Sequence, residues 1–427
     1  MTIAHVSTEA PAAVSPNVSR LYAWAVFALT FGLLMSDYMS RQVLNALFPM
    51  LKSEWGLSDA QLGGLSSIVA LMVGILTLPL SFLADHIGRA RSLFVMAVIW
   101  SIATAACALA RNYQELFFAR FIIGVGEAAY GSVGVAVVVS VFPPNMRATI
   151  VGAFMAGGMF GSVLGVSLGG IVASNFGWRW AFGAMAIFGL LLAIIFLFVV
   201  TERRIQGNAR PGHPEKATGK LTVAALESLI GSRAVLAAYA GSGLQLFVCA
   251  ALPAWLPSFF NRAYSVEPGR AAVLAAVFVL IGALGMIAGG LVSDRLSKKA
   301  SNRVPLFALV VCLLGGALLA VAFQLPTGIA QLVLIGLGLF VAAAITGPAG
   351  AMVANLTHLS VHGAAFAVLT LVNNFLGLAP GPYVTGLLAD QFGLTGALQL
   401  IPVTCLAAAI LFWLASRSYG RELAKAP

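Results

Sequence analysis

Twelve apolar stretches, each about as long as a membrane-crossing helix, constrain this sequence more than any other feature. A span needs about 20 apolar residues, and together the stretches occupy about seven tenths of the 427 residues. Only 9% of the residues are charged, against about 25% in an ordinary soluble domain. This excludes a soluble enzyme, a nucleic-acid binder and a disordered protein. The predicted helices cover residues 21–49, 59–84, 92–110, 114–141, 148–174, 178–200, 233–260, 270–296, 304–324, 328–354, 361–389 and 395–416.

One long polar connection divides these helices into two sets of six. Residues 201–232 are polar and interrupted by proline and glycine, which is typical of a linker. We therefore predict an N-terminal six-helix half at 21–200 and a C-terminal half at 233–416. We also predict two tails, at residues 1–20 and 417–427. Residues 1–19 contain several Pro and Ser residues and lack the apolar core of a signal peptide, so the first tail is predicted to be disordered and not to be a signal peptide.

The two halves repeat each other in sequence. Five residues of the fifth span and the connection after it recur in the eleventh span and its following connection at one constant offset, and Asp85 and Asp294 lie at equivalent span ends. Two pseudo-symmetric halves favour alternating access around a site at their interface. The five recurring residues are Gly161, Gly165, Gly170, Phe176 and Gly177, matched by Gly377, Gly381, Gly386, Phe392 and Gly393.

Basic residues in the loops predict the orientation. With both termini in the cytoplasm, 17 of the 24 Lys and Arg lie in cytoplasmic segments, five lie outside and two lie within spans. This positive-inside bias predicts a multi-pass protein, placed in a bacterial inner membrane, with both termini cytoplasmic. The four cysteines are far apart, and no spacing suits a metal or redox pair. We predict no metal, no cofactor and no catalytic residues, and no ATP coupling, because no Walker A sequence occurs.

Charged residues inside two spans are the sharpest functional signal. Asp37 and Arg41 share one face of the first span, and Arg120 and Glu127 share one face of the fourth. Inserting such a charge at the centre of a span costs about 2.5–3.5 kcal/mol on insertion scales, so a charged residue there is expected to have a function. The arginines are predicted to bind an anionic substrate group, and the carboxyl groups to carry protons. The alternative is a static charge cluster that joins the two spans.

The C-terminal half has no matching charge within its spans. Its polar candidates for substrate contact are Gln245, Asn373 and Asn374, to which Tyr38 is added from the first span.

Two loops at equivalent positions carry a second charge pattern. Asp85 and Arg89 follow the second span, and Asp294 and Arg295 lie at the end of the eighth. Arg147 is a candidate partner for Asp85. We predict a cytoplasmic latch made by these charges and nearby helix ends. The alternative is that they only set the topology.

These loops resemble the signature of the major facilitator superfamily, in which an aspartate lies four positions after a glycine and basic residues come next. Ser81 replaces the first glycine here, and the second copy lacks the later glycine. Several further stretches resemble the spinster-like transporters and the anion:cation symporters. They are Ala119–Ala128, Asp37–Leu44 with Phe48-Pro49, Gly56–Gly63 and Gly177–Phe182.

The resemblance covers nearly the whole chain and has consequences for individual residues. It implies that Arg41 and Arg120 contact substrate and that Glu127 couples to protons. Those families have Asp-Arg in the first span, whereas Ser40 precedes Arg41 here and the acid stands at Asp37, one turn earlier.

Four functions remain open at this point. The first is a secondary transporter of a small organic anion, coupled to protons. The second is an exporter of lysolipid-like or drug-like amphiphiles by proton antiport or facilitated flux. A non-transporting sensor or scaffold and a channel are the others, and the paired loops and repeated halves favour a carrier. The expected partners are a small organic solute, protons and the lipid bilayer, with no nucleic acid, for a monomeric protein.

Overall fold

The computed structural model describes residues 19–205, 229, 231–358 and 361–424. The regular elements in these ranges are helices, and twelve helices are long and apolar enough to cross a membrane. The prediction of an all-helical protein with twelve spans is therefore confirmed. Most of the predicted N-terminal tail and most of the predicted linker lie outside the described residues. The predicted C-terminal tail is helical where it is described, because the last helix continues to Leu423.

Six spans of the N-terminal half are built from seven helices, followed by a short eighth. A 3₁₀ turn at Pro144–Met146 joins the fifth helix to the sixth. The helices are α1 (Arg20–Trp55), α2 (Asp59–Ile87), α3 (Arg89–Leu109), α4 (Tyr113–Glu127), α5 (Tyr130–Val141), α6 (Arg147–Phe176), α7 (Trp178–Val199) and α8 (Glu202–Ile205).

The C-terminal half follows the same order. A 3₁₀ turn at Ser301–Arg303 and a π-helical turn at Asn374–Leu378 interrupt it. The helices are α9 (Arg233–Ala263), α10 (Pro268–Ala300), α11 (Val304–Ala322), α12 (Ile329–Ala343), α13 (Thr346–Leu356), α14 (His362–Asn373), α15 (Pro380–Leu400) and α16 (Pro402–Leu423).

The fourth span is interrupted in the middle, which the sequence did not predict. Residues 114–141 were expected to form one helix, but α4 ends at Glu127 and α5 starts at Tyr130. The hydroxyl of Thr77 on α2 donates to the carbonyl of Ala128 within the break, at 2.7 Å. The tenth span breaks at the matching position of the repeat, between Ala343 and Thr346. The repeat therefore extends to a break in the backbone, which Pro348 accompanies in the tenth span and no proline accompanies in the fourth.

A glycine with positive φ stands between the last two spans of each half. Gly177 has φ 91° between α6 and α7, and Gly393 has φ 73° within the range of α15. An L side chain would be strained at such a φ. Gly393 therefore marks the helical break between the segments predicted at 361–389 and 395–416.

The halves meet along two seams. The most extensive contacts between them join α6 to α10 and α2 to α15. A continuous apolar core also links them, in which the rings of Phe48 on α1 and Trp255 on α9 lie 5.1 Å apart. We call the end that carries the α1–α2 and α9–α10 connections the clamp end. The opposite end carries the loops predicted to be cytoplasmic.

Candidate functional site

The predicted acids of the first and fourth spans meet in the middle of the N-terminal half. The carboxyl groups of Asp37 on α1 and Glu127 on α4 lie within hydrogen-bonding reach of each other. Both residues are buried, with 6% of each exposed. Oδ1 of Asp37 and Oε1 of Glu127 have no hydrogen-bond partner among the described residues. The two acids thus form one buried pair whose hydrogen-bonding capacity the described protein groups leave partly unused.

Arg120 has a different environment from the one expected for a substrate contact. The residue is fully buried, and each of its three side-chain nitrogens donates to a backbone carbonyl. Nε donates to Leu65 on α2 at 3.2 Å, Nη1 to Ser40 at 3.0 Å and Nη2 to Arg41 at 3.1 Å. The guanidinium therefore joins α4 to α1 and α2, beside the acid pair.

Arg41 is the more available of the two cations. Its side chain is partly exposed, and it makes no hydrogen bond or ion pair within the described part of the chain. It is close enough to Asp37 and Glu127 to interact with both electrostatically. Tyr38 lies next to this group; its ring packs against Gly158 of α6 and its Cβ against Gly161. Such tight packing fixes α1 on α6.

The C-terminal half carries no copy of this cluster. With the offset that relates Pro49 to Pro257, Asp37 and Arg41 correspond to Gln245 and Cys249. With the offset that relates Gly161 to Gly377, Arg120 and Glu127 correspond to Gly336 and Ala343. Every charge of the site has been replaced by an uncharged residue in the repeat. The chemistry of the site is therefore confined to one half.

The predicted polar residues of the C-terminal half lie in two places. Gln245 is fully buried, and its Nε2 donates to the carbonyl of Ala342 on α12 at 3.4 Å. Asn373 and Asn374 stand where α14 gives way to the π-helical turn, and each has a buried Oδ1 without a partner among the described residues. The Cβ of Asn374 faces Gly74 of α2 in the other half. Asn374, rather than Gln245, reaches the interface between the halves.

Three of the predicted latch residues lie on the surface of the structure. Arg147, Asp294 and Arg295 are exposed, and none forms an ion pair within the described residues. The side chain of Asp85 lies outside the described part. The backbone N–H groups of Arg89 and its neighbour Ala90 donate to Glu202, at 3.1 and 2.8 Å. The latch stays a prediction.

Sequence reasoning missed a second charged cluster, which lies at the clamp end. Asp59 at the start of α2 pairs with Arg262 of α9 and with Lys52 of α1, and Asp390 of α15 accepts from the same turn of α2. Lys52 and Arg262 stand at span ends, where the charge count treated them only as markers of topology, and the two acids were not counted. The available signal was Asp59 itself, an acid beside the Ser58–Gln61 capping box.

No group of three or more His, Cys, Asp or Glu residues in the described ranges is arranged to hold a metal ion. The four cysteines are free thiols, three of them buried and Cys249 partly so.

Comparisons with known proteins agree with this architecture. The family model described as Major Facilitator Superfamily matches residues 30–379. A protein named as a probable L-galactonate transporter of Escherichia coli (strain K12) is 27% identical over 92% of this chain and 87% of its own. A sphingosine-1-phosphate transporter of Danio rerio is 24% identical over 85% of this chain and 75% of its own.

The fold matches a solved transporter structure. A bacterial homologue of the human lysosomal transporter spinster, crystallised in an inward-facing and unoccupied conformation, superposes with a TM-score of 0.86. The match covers 95% of this chain and 99% of the homologue at 20% sequence identity. The chain therefore belongs to the Major Facilitator Superfamily, as a membrane transporter related to the spinster homologues and the galactonate transporters.

Proposed function

We propose that the protein carries a small organic anion across the membrane by alternating access, and that the transport is coupled to protons. One observation carries this proposal: a partly exposed arginine without an ion-pair partner in the described part of the chain, Arg41, lies beside the buried acid pair of Asp37 and Glu127. The site thus offers a cation for a substrate and carboxyl groups for a proton.

Burial explains why the acid pair suits proton coupling. Two negative charges held side by side away from water repel each other and lack hydration. A proton shared between Asp37 and Glu127 removes most of that cost. A substrate anion beside Arg41 adds a third negative charge, so binding of the anion favours uptake of a proton. This linkage is the physical basis of symport.

Arg120 holds the site in shape in this proposal. Its donation to the carbonyls of Ser40 and Arg41 fixes the turn of α1 that carries the Arg41 side chain. Asn373 and Asn374 contribute from the other half amide oxygens that have no hydrogen-bond partner among the described residues, and such acceptors suit the hydroxyl groups of a substrate.

The relatives support an anionic substrate. Galactonate carries a carboxylate and sphingosine-1-phosphate carries a phosphate, so both named substrates present an anion to a cationic site. The second relative favours the other candidate function, an exporter of amphiphilic molecules. In both candidate functions Arg41 binds the anionic group of the substrate, and the two differ in the remainder of the substrate molecule.

A proteoliposome assay separates these alternatives. Purified protein is tested for counterflow with a sugar acid such as galactonate and, in a second arm, with a single-chain lysophospholipid. Uptake is then measured with and without an imposed pH step. We expect Arg41→Gln to lose transport of the anion, and Glu127→Gln to keep exchange of substrate while losing the response to the pH step.

Glu115→Gln is the matched control, because Glu115 lies at the other end of α4, where it accepts from the N–H of Arg111 at 2.9 Å. The proton-coupling role is wrong if Glu127→Gln and Glu115→Gln respond to the pH step as the wild type does. Transport of the lysophospholipid alone would favour the exporter.

We also propose that both termini lie in the cytoplasm and that the structure is open toward the cytoplasm. The loop charges support cytoplasmic termini, and the exposed Arg147, Asp294 and Arg295 fit a state that is open at the cytoplasmic end. The inward-facing conformation of the solved relative supports that assignment.

A further inference from the structure

The first turn of α2 is held by two helices of the other half. The carboxylate of Asp59 accepts from both terminal nitrogens of Arg262 on α9, at 2.6 and 2.7 Å. The carboxylate of Asp390 on α15 accepts from the backbone N–H groups of Asp59 and Ala60, at 2.7 and 2.9 Å. We call Asp59, Arg262 and Asp390 the α2 clamp.

The geometry of the clamp is that of a strong polar contact. The fork of Arg262 matches the two oxygens of Asp59, and such charge-assisted bidentate pairs are about twice as strong as neutral hydrogen bonds. The Asp59 side chain is only 4% exposed, so water screens the pair weakly. Asp390 adds a negative charge at the N-terminus of α2, where the helix dipole favours it.

The clamp can form only while the two halves touch. A Cβ on Gly386 of α15 would collide with the carbonyl of Asp59, and one on Gly63 of α2 would collide with the carbonyl of Pro382. The two backbones are therefore in direct contact beside the clamp. Within the described residues, all hydrogen bonds between the halves lie along this α2 seam; the last of them joins the Tyr383 N–H to the Ser67 hydroxyl oxygen at 3.1 Å.

The repeat-related seam between α6 and α10 is closed differently. The counterpart of Asp390, by the offset that relates Gly161 to Gly377, is Ser174, which packs against Gly269 of α10. A neighbouring glycine of α6 packs against Ala272 in the same way. No ion pair crosses this seam in the part of the chain that the structure describes. Charge therefore closes one seam of the clamp end, and small-residue packing closes the other.

Lys52 completes the arrangement from the same half as Asp59. Its Nζ lies 2.7 Å from Oδ1 of Asp59 and is independent of the contact between the halves. When the halves separate, Asp59 loses Arg262 but keeps this cation. The carboxylate is therefore never left without a counter-ion, which limits the energy needed to open the clamp.

We propose that Arg262 and Asp390 are positioning residues of the transport cycle, which set how often the clamp end opens. This inference rests on alternating access in the proposed function, and it depends neither on the substrate nor on protons. Loss of one charge-assisted contact of this kind is expected to raise the ratio of open to closed protein tenfold to a hundredfold.

The test measures opening without transport. A cysteine replaces Ser67, which is 8% exposed and lies within the α2 seam, in a protein whose four native cysteines are removed. A membrane-impermeant maleimide is added to sealed vesicles on the side that carries Asp59. Because labelling requires opening, its rate follows the open population. We expect Arg262→Gln and Asp390→Asn each to raise the labelling rate at least tenfold.

Arg179→Gln is the matched control. Arg179 pairs with Glu54 at 2.8 Å at the same end of the molecule, but both residues belong to the N-terminal half. Arg179→Gln should leave the labelling rate unchanged. Arg262→Lys should be labelled more slowly than Arg262→Gln, because the lysine keeps a positive charge beside Asp59. An unchanged rate in both clamp variants, or an equal rise in Arg179→Gln, overturns the proposal.

Two further features of the design keep the outcome decisive. Should Arg262→Gln fail to reach the membrane, Asp390→Asn carries the test alone, because it leaves the Asp59–Arg262 pair intact. A protein that transports no anion would refute the proposed function, while the labelling rates would still report the clamp.

Discussion

Replacing Arg120 with lysine separates a structural arginine from a substrate-binding one. The guanidinium donates to carbonyls on two helices, Leu65 on α2 and both Ser40 and Arg41 on α1. A lysine keeps the charge but has a single nitrogen, which cannot reach both helices as the planar fork does. Two of the three bonds are therefore lost in Arg120→Lys.

The size of the effect follows from these contacts. At about 1.5–3 kcal/mol for each hydrogen bond to a charged group, the loss of two amounts to about 3–6 kcal/mol of unfolding free energy. Two average neutral bonds between membrane helices would give only about 1.2 kcal/mol. Arg41→Lys should change stability by less than about 0.5 kcal/mol, because the Arg41 side chain makes no bond within the described residues.

Unfolding by SDS in mixed micelles, followed by tryptophan fluorescence, measures both variants in parallel with ligand binding. We expect Arg120→Lys to lose stability, and Arg41→Lys to lose affinity for the anion at wild-type stability. If Arg120→Lys is as stable as the wild type and binds no anion, Arg120 is a direct substrate contact and our reading of its bonds is wrong.

Two smaller predictions concern helix ends. Thr77→Val leaves the carbonyl of Ala128 without its hydroxyl donor at the break of the fourth span, so unfolding free energy should fall by about 1–3 kcal/mol, whereas Thr77→Ser should retain it; equal values for the two variants in the same SDS titration would refute the role of this bond. Glu202→Ala removes the acceptor for the N–H groups of Arg89 and Ala90 at the start of α3, at a cost of about 0.5–2 kcal/mol; faster hydrogen exchange at these two amides checks it, and unchanged exchange would contradict it.

The spans could be predicted, and candidate site residues could be named, because apolar stretches and buried charges are both visible in the sequence alone. An apolar stretch of span length has few alternatives to a membrane helix, and a charge such as Glu127 within that stretch is rare enough to indicate function. Spacing also placed Asp37 and Arg41 on one helical face. The meeting of Asp37 with Glu127 needed only that the two spans pack together.

What the sequence could not provide was the identity of backbone partners and of contacts between distant helices. Arg120 binds backbone carbonyls. Because every residue has a carbonyl, no pattern of side chains in the sequence identifies these acceptors. Asp59 and Asp390 lie near opposite ends of the chain, and each alone is an ordinary charge at a span end. The break after Glu127 also has no proline to mark it.

The three acceptors of Arg120 all precede it in the chain, which bears on how the protein is made. A membrane protein is synthesised from its N-terminus, so α1 and α2 are in the bilayer before α4 leaves the ribosome. The carbonyls of Ser40, Arg41 and Leu65 are then already present when Arg120 enters the apolar phase. This order allows the guanidinium to reach its acceptors without a long exposure to lipid, where it would be costly. A rearranged chain in which α4 came before α1 would have to insert the same arginine before any of its three acceptors existed.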